Sequence, residues 1–96
     1  MACSALIYDA YVLHKGNAID IAGLTYGVID GEEFDGELHQ TFHLRKAWID
    51  DLGIGVKDMQ GHEYMILSLD NQPGALFYSI HALFALSFLH EKPVND

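Results

Sequence analysis

The sequence predicts an α+β domain: an antiparallel three-stranded meander plus a fourth strand, packed on a long apolar C-terminal helix. Three observations lead there. Ala75 to Leu89 is apolar except for Ser79, His81 and Ser87. Three strand-like runs with turn residues between them precede Arg45, and half of the residues are hydrophobic. That is ample for a core in one domain spanning residues 1–96, and too much for disorder.

Ser4 to Leu13, rich in Ile, Tyr and Val, reads as a strand covered on both faces and therefore central. His14-Lys15-Gly16-Asn17 supplies turn chemistry, and Ala18 to Asp30 reads as a second, long strand. Gly23 and Gly27 within it mark a bulge or a close backbone approach. Asp30 to Glu37 reads as an acidic turn. Leu38 to Leu44 then alternates Leu, Gln, Phe and Leu against His, Thr and His, which predicts a strand with its histidines in solvent. Lys46 to Leu52 is expected to form a short helix with Ala47, Trp48 and Leu52 inward, stopped by Gly53 and Gly55. His62 to Asp70 reads as the fourth strand, centred on Tyr64-Met65-Ile66-Leu67.

The final helix has its own start signals: Asp70 or Asn71 as cap, and Pro73 at the first helical position. On a helical wheel Leu76, Phe77, Ile80, Leu83, Phe84 and Phe88 share one face. Tyr78, Ala82, Ala85 and Leu89 share the opposite one. A helix apolar all round is buried all round, so the second set is expected to meet another copy of the chain or another layer. Spanning a bilayer takes about 20 apolar residues, so no membrane partner is expected.

Fourteen acids face five bases, for a formal net charge of −9. No Lys or Arg lies between Lys15 and Arg45, and Asp30, Glu32, Glu33, Asp35 and Glu37 fall within eight residues. Such a surface repels phosphate backbones, which excludes direct nucleic-acid binding and points to a cationic partner. The one cysteine, Cys3, forms no internal disulfide and has no cationic neighbour to activate it. With no charged segment preceding an apolar one at the start, the expected location is the cytoplasm.

The motifs that carry chemistry are few. His39 and His43 have the H-x-x-x-H spacing, but four residues of strand span ~13 Å, too far for one ion. The acidic turn fails the calcium-loop pattern, since Phe34 and Asp35 stand at its fifth and sixth positions. No nucleophile elbow, phosphate-binding loop or zinc pattern is present. Asp9 interrupts an apolar strand, Asp70 ends the fourth one, and Asp50 and Asp51 lie between. This order of elements resembles the opening of ribonuclease-H-like folds, in which carboxylates on the first strand, first helix and fourth strand hold two magnesium ions. The resemblance implies Asp9, Asp50 and Asp70 as ligands of a metal-dependent nuclease or a degenerate relative. The sequence departs from it in a short, glycine-broken first helix and in lacking a basic substrate groove.

The first expectation is therefore a small acidic binding protein without a cofactor, an inhibitor or adaptor rather than an enzyme. Asp30, Glu32, Glu33, Asp35 and Glu37 would engage a basic protein surface, in one version as a mimic of nucleic acid. The rivals are the metal-dependent nuclease and an assembly subunit joined through Tyr78, Ala82, Ala85 and Leu89.

Overall fold

The β-branched and aromatic residues of the first two runs give a hairpin whose buried positions change parity halfway. In a computed structural model, which describes residues 5–16, 18–71 and 79–83, β1 (Ala5–Lys15) pairs antiparallel with β2 (Ala18–Ile29). Ala5 and Ile7 point into the core, and after them Ala10 and Val12 do. The switch is a bulge: Tyr8 pairs with Leu24 and Tyr11 with Ala22, so Asp9 and Ala10 together oppose Gly23. Asp9 takes a φ of 53°, in the left-handed region. A side chain at Gly23 would place its Cβ 2.5 Å from Ile7 Cγ2 and 2.8 Å from the Tyr8 carbonyl oxygen, so the bulge needs a glycine opposite it. β1 thus carries apolar residues at both parities because its inward register shifts, as well as being central.

Asp30 and Gly31, both at positive φ, make the tight turn into β3 (Glu32–Gln40). The expected acidic turn is corrected here: only Asp30 lies in the turn, and Glu32 to Glu37 belong to the strand. Further along, the β2–β3 register slips between Thr25 and Tyr26, at Gly36 (φ 96°). The slip reverses the expected facing of residues 38–42. Leu38 and Phe42 are exposed, while His39 is half-buried and Thr41 buried.

Residues 45–61 hold two strands in place of the expected helix: β4 (Leu44–Ile49) and β5 (Ile54–Asp58), an antiparallel hairpin. Its turn is closed by Asp50 N–H to the Gly53 carbonyl at 2.8 Å. Ala47 and Trp48 are buried as expected, but Leu52 is exposed at the turn. Gly55 lies opposite Trp48, where a Cβ would collide with the indole, so this glycine admits a ring rather than ending a helix. β6 (Glu63–Ile66) pairs antiparallel with β5 and parallel with β1.

The result is one six-stranded mixed sheet, ordered β3-β2-β1-β6-β5-β4. Two antiparallel meanders meet at the parallel β1–β6 seam. Strands make up 67% of the described residues, so the expected α+β class with four strands is corrected to a mostly-β fold. The helix-containing order that resembled ribonuclease-H-like folds is overturned with it. Among the described residues only 79–83 are helical; the rest of the expected Ala75–Leu89 helix lies outside them. In that turn Ser79 Oγ accepts the Val12 N–H at 3.2 Å, Leu83 is buried, and Ile80 is exposed. The sheet coils, bringing edge strand β4 back against β2. Thr41 fastens that return with two bonds to Ile21: its N–H donates to the Ile21 carbonyl at 2.8 Å, and its Oγ1 accepts the Ile21 N–H at 3.1 Å. Ile7, Ile21, Val56, Tyr64, Ile66 and Leu83 fill the enclosed core.

Candidate functional site

The acidic strand β3 is an edge of the sheet, and all five carboxylates singled out from the sequence are exposed. They do not form one row. In antiparallel pairing, directly opposed residues share a face. Glu33 pairs with Val28 and Asp35 with Tyr26, which puts both on the outer face; Glu32 and Glu37 pair with Ile29 and Thr25, on the inner one. Glu37 folds back so that its carboxylate accepts the Asp35 N–H at 2.6 Å, bracing the irregularity at Gly36. Asp30 accepts from His62 Nε2 at 2.8 Å.

The outer face beside Glu33 and Asp35 is apolar. Tyr8, Leu24 and Leu38 stand in one cross-strand row; Leu6, Tyr26 and Asp35 stand in the next; Val28 and Glu33 come after them. Tyr8, Leu24, Tyr26, Val28 and Leu38 are all exposed, Leu38 at 64%. The Tyr8 and Tyr26 rings meet edge to face at 5.5 Å, which fixes them as one aromatic surface. Gly36 leaves room for Tyr26, whose hydroxyl lies 3.0 Å from where a Cβ would stand. Scattered surface apolar residues are ordinary, whereas a contiguous patch marks an interaction site. Sequence reasoning missed this face, because it read the first strand as covered on both sides and turned Leu38 toward the interior.

Two histidine–aspartate pairs lie beyond this apolar patch. Asp58 is fully buried; its Oδ1 accepts the Gln60 and His62 N–H groups, each at 3.0 Å, and its Oδ2 accepts the Tyr64 hydroxyl at 3.2 Å. Burial first, and then the Asp58 charge, push the Tyr64 hydroxyl well above its ordinary range, so it stays a donor. His62 is held between two carboxylates, Asp30 at Nε2 and Asp58 3.5 Å from Nδ1. Its buried Nδ1 makes no hydrogen bond, and protonation turns that atom into a donor aimed at Asp58. The hydrogen bond to Asp30, helped by Asp58 and opposed by burial, raises the His62 pKa. His39, which meets Phe34 edge to face at 4.7 Å and lies near Tyr64, is shifted the other way by burial, against the charges of Glu32 and Asp58.

The second pair is His43 and Asp20. His43 Nδ1 bonds to the buried Asp20 at 2.6 Å, and Gln40 Nε2 donates to the other Asp20 oxygen at 2.8 Å. A carboxylate only accepts, so Nδ1 carries the proton and a neutral ring leaves Nε2 as acceptor. The imidazole borders an open groove with Phe42, Met59 and Gln60. Thr41, the one hydroxyl among the described residues of its lining, is engaged with Ile21 and the Phe42 carbonyl. Of the two histidines expected in solvent, His43 is exposed and His39 is half-buried, and they have separate partners.

The carboxylates of the metal reading lie apart in role. Asp9 is exposed in the bulge, where its N–H donates to Ser68 Oγ at 2.9 Å. Asp70 donates its N–H to the Ala10 carbonyl at 2.8 Å, so it runs alongside the bulge. Asp50 sits in the β4–β5 turn, with β6 and β5 intervening, roughly 10 Å or more away at the ordinary strand spacing. Among the described residues no three His, Cys, Asp or Glu side chains are grouped to hold a metal ion. Of the expected oligomer surface, Ala82 packs against the core, while Tyr78, Ala85 and Leu89 lie outside the described residues. No helix among the described residues is long and apolar enough to cross a membrane. Neither protein-family profiles, curated proteins nor solved structures match the chain.

Proposed function

We propose that the chain is a small acidic binding protein, an inhibitor or adaptor that engages a basic protein surface through the β3 edge. The observation that carries this reading is the placement of Asp30, Glu32, Glu33, Asp35 and Glu37, all exposed, on one edge strand and its turn. Exposed carboxylates within a Debye length of about 8–10 Å repel one another and give little to the fold. A cationic partner relieves that repulsion and is steered toward it. Charges on an edge strand also discourage pairing with other strands; that role alone predicts aggregation when they are removed, with no effect on binding.

The test compares affinity capture by the unmodified chain with capture by a Glu32→Gln, Glu33→Gln, Asp35→Asn triple variant over a range of salt. A partner released by salt from the unmodified chain, and held weakly by the variant at every salt concentration, supports the proposal. Identical capture by the two proteins contradicts it.

A further inference from the structure

We propose that the outer face of β1–β2–β3 docks a basic amphipathic helix of a partner protein. The apolar stripe of that helix would lie on Tyr8, Leu24, Tyr26 and Leu38, and its Lys and Arg side chains beside Glu33 and Asp35. The inference deepens the reading above and rests on it: the carboxylates bring a basic partner near, and the face beside them states what kind.

The dimensions fit one helix. Three strands at ~4.8 Å spacing make a face about 10 Å across, close to the 10–12 Å diameter of a helix with its side chains. The five exposed apolar residues lie on neighbouring strands in direct register, so they form a patch on the order of a few hundred Å². An apolar centre with two tyrosines and a charged border is the anatomy of a protein interface. Charge chooses the occupant. Glu33 and Asp35 border the patch on the β3 side, and a second copy would bring its own formal −9 against this one. A purely cationic, unstructured chain would leave the apolar rows uncovered. The occupant that satisfies both parts has Lys or Arg flanking an apolar stripe.

The experiment titrates the full chain with two labelled synthetic peptides of about 15 residues. One is a Leu/Lys amphipathic helix; the other has the same composition, scrambled so that no stripe forms. The expected result is binding of the amphipathic peptide at least about tenfold tighter than the scrambled one. Leu24→Asp and Tyr26→Asp should each weaken it by about tenfold. Leu38→Asp, at the most exposed of these positions, serves as the second variant should either of the first two lose the native circular dichroism spectrum. Equal affinity for the two peptides, unaffected by Leu24→Asp or Leu38→Asp, overturns the docking inference. In that case salt-sensitive binding that weakens in Glu33→Gln, Asp35→Asn leaves the acidic-edge reading standing. No salt-sensitive binding of either peptide removes both. A dimer in sedimentation that Leu24→Asp dissociates assigns the face to a second copy and also overturns the inference.

Discussion

Gly23 and Asp58 show how single residues set this architecture. Gly23 sits opposite the β1 bulge, and any Cβ there meets Ile7 and the Tyr8 carbonyl at distances that real contacts do not reach. Gly23→Ala should therefore cost at least about 1–3 kcal/mol, measured by urea denaturation, by forcing the bulge open. Its glycine was legible in the sequence as a bulge or close approach, because glycine inside a strand has few other reasons to be there. The bulged residue itself, Asp9, was legible only as an interruption. Asp58→Ala should cost roughly 2–4 kcal/mol, since it strips acceptors from two backbone N–H groups and from the Tyr64 hydroxyl. Asp58-Met59-Gln60-Gly61 carries a turn signal, but nothing in it announces a fully buried carboxylate.

At the scale of elements, the contact between the β2–β3 turn and the β5–β6 turn is strengthened by protonation of His62. Asp30 and His62 join them across 32 residues of sequence. His62 is shifted above its ordinary value of 6.5, so the fold favours its charged form. That stability is fully present below the unfolded-state pKa and is lost as pH rises through the folded value. His39, shifted downward, works in the opposite sense and loses stability as pH falls below about 6.5. The melting temperature of the unmodified chain should thus exceed that of His62→Gln by more at about pH 6 than at about pH 9. With Asp30 well exposed, the pair is worth roughly 1 kcal/mol or less. A gap between the two proteins that does not change with pH would show the link to be without ionic character.

The element-level misreadings share a cause. Leu44 to Ile49 and Ile54 to Asp58 are short, and Ala47 beside Trp48 matches a helical face as well as two faces of a coiled strand, so periodicity does not separate them. Between Leu38 and Leu44 the apolar alternation was taken to face the core, whereas the pairing with β2 after the slip at Gly36 turns Leu38 and Phe42 outward. The second error hid part of the outward apolar face, because a one-residue shift exchanges the two sides of a strand.

For the whole molecule, two meanders joined by a parallel seam leave the outer face of one meander apolar and its edge strand acidic. Neutralising Glu32, Glu33 and Asp35 should leave the free domain as stable as before or slightly more so, because repulsion within the edge falls. Binding is where the change should appear, as slower association and a flatter dependence on salt. The charge asymmetry was plain in the sequence; the apolar face beside it was not, since it needs the three-strand register to assemble. The most direct test of the binding surface is a two-dimensional NMR titration of the isotopically labelled chain with the amphipathic Leu/Lys peptide. Shift changes confined to the outer rows of β1–β3, from Tyr8, Leu24 and Leu38 through Tyr26 and Asp35 to Val28 and Glu33, are the predicted result. Changes centred instead on the His43 groove or on β4 and β5, with those rows unmoved, would contradict it.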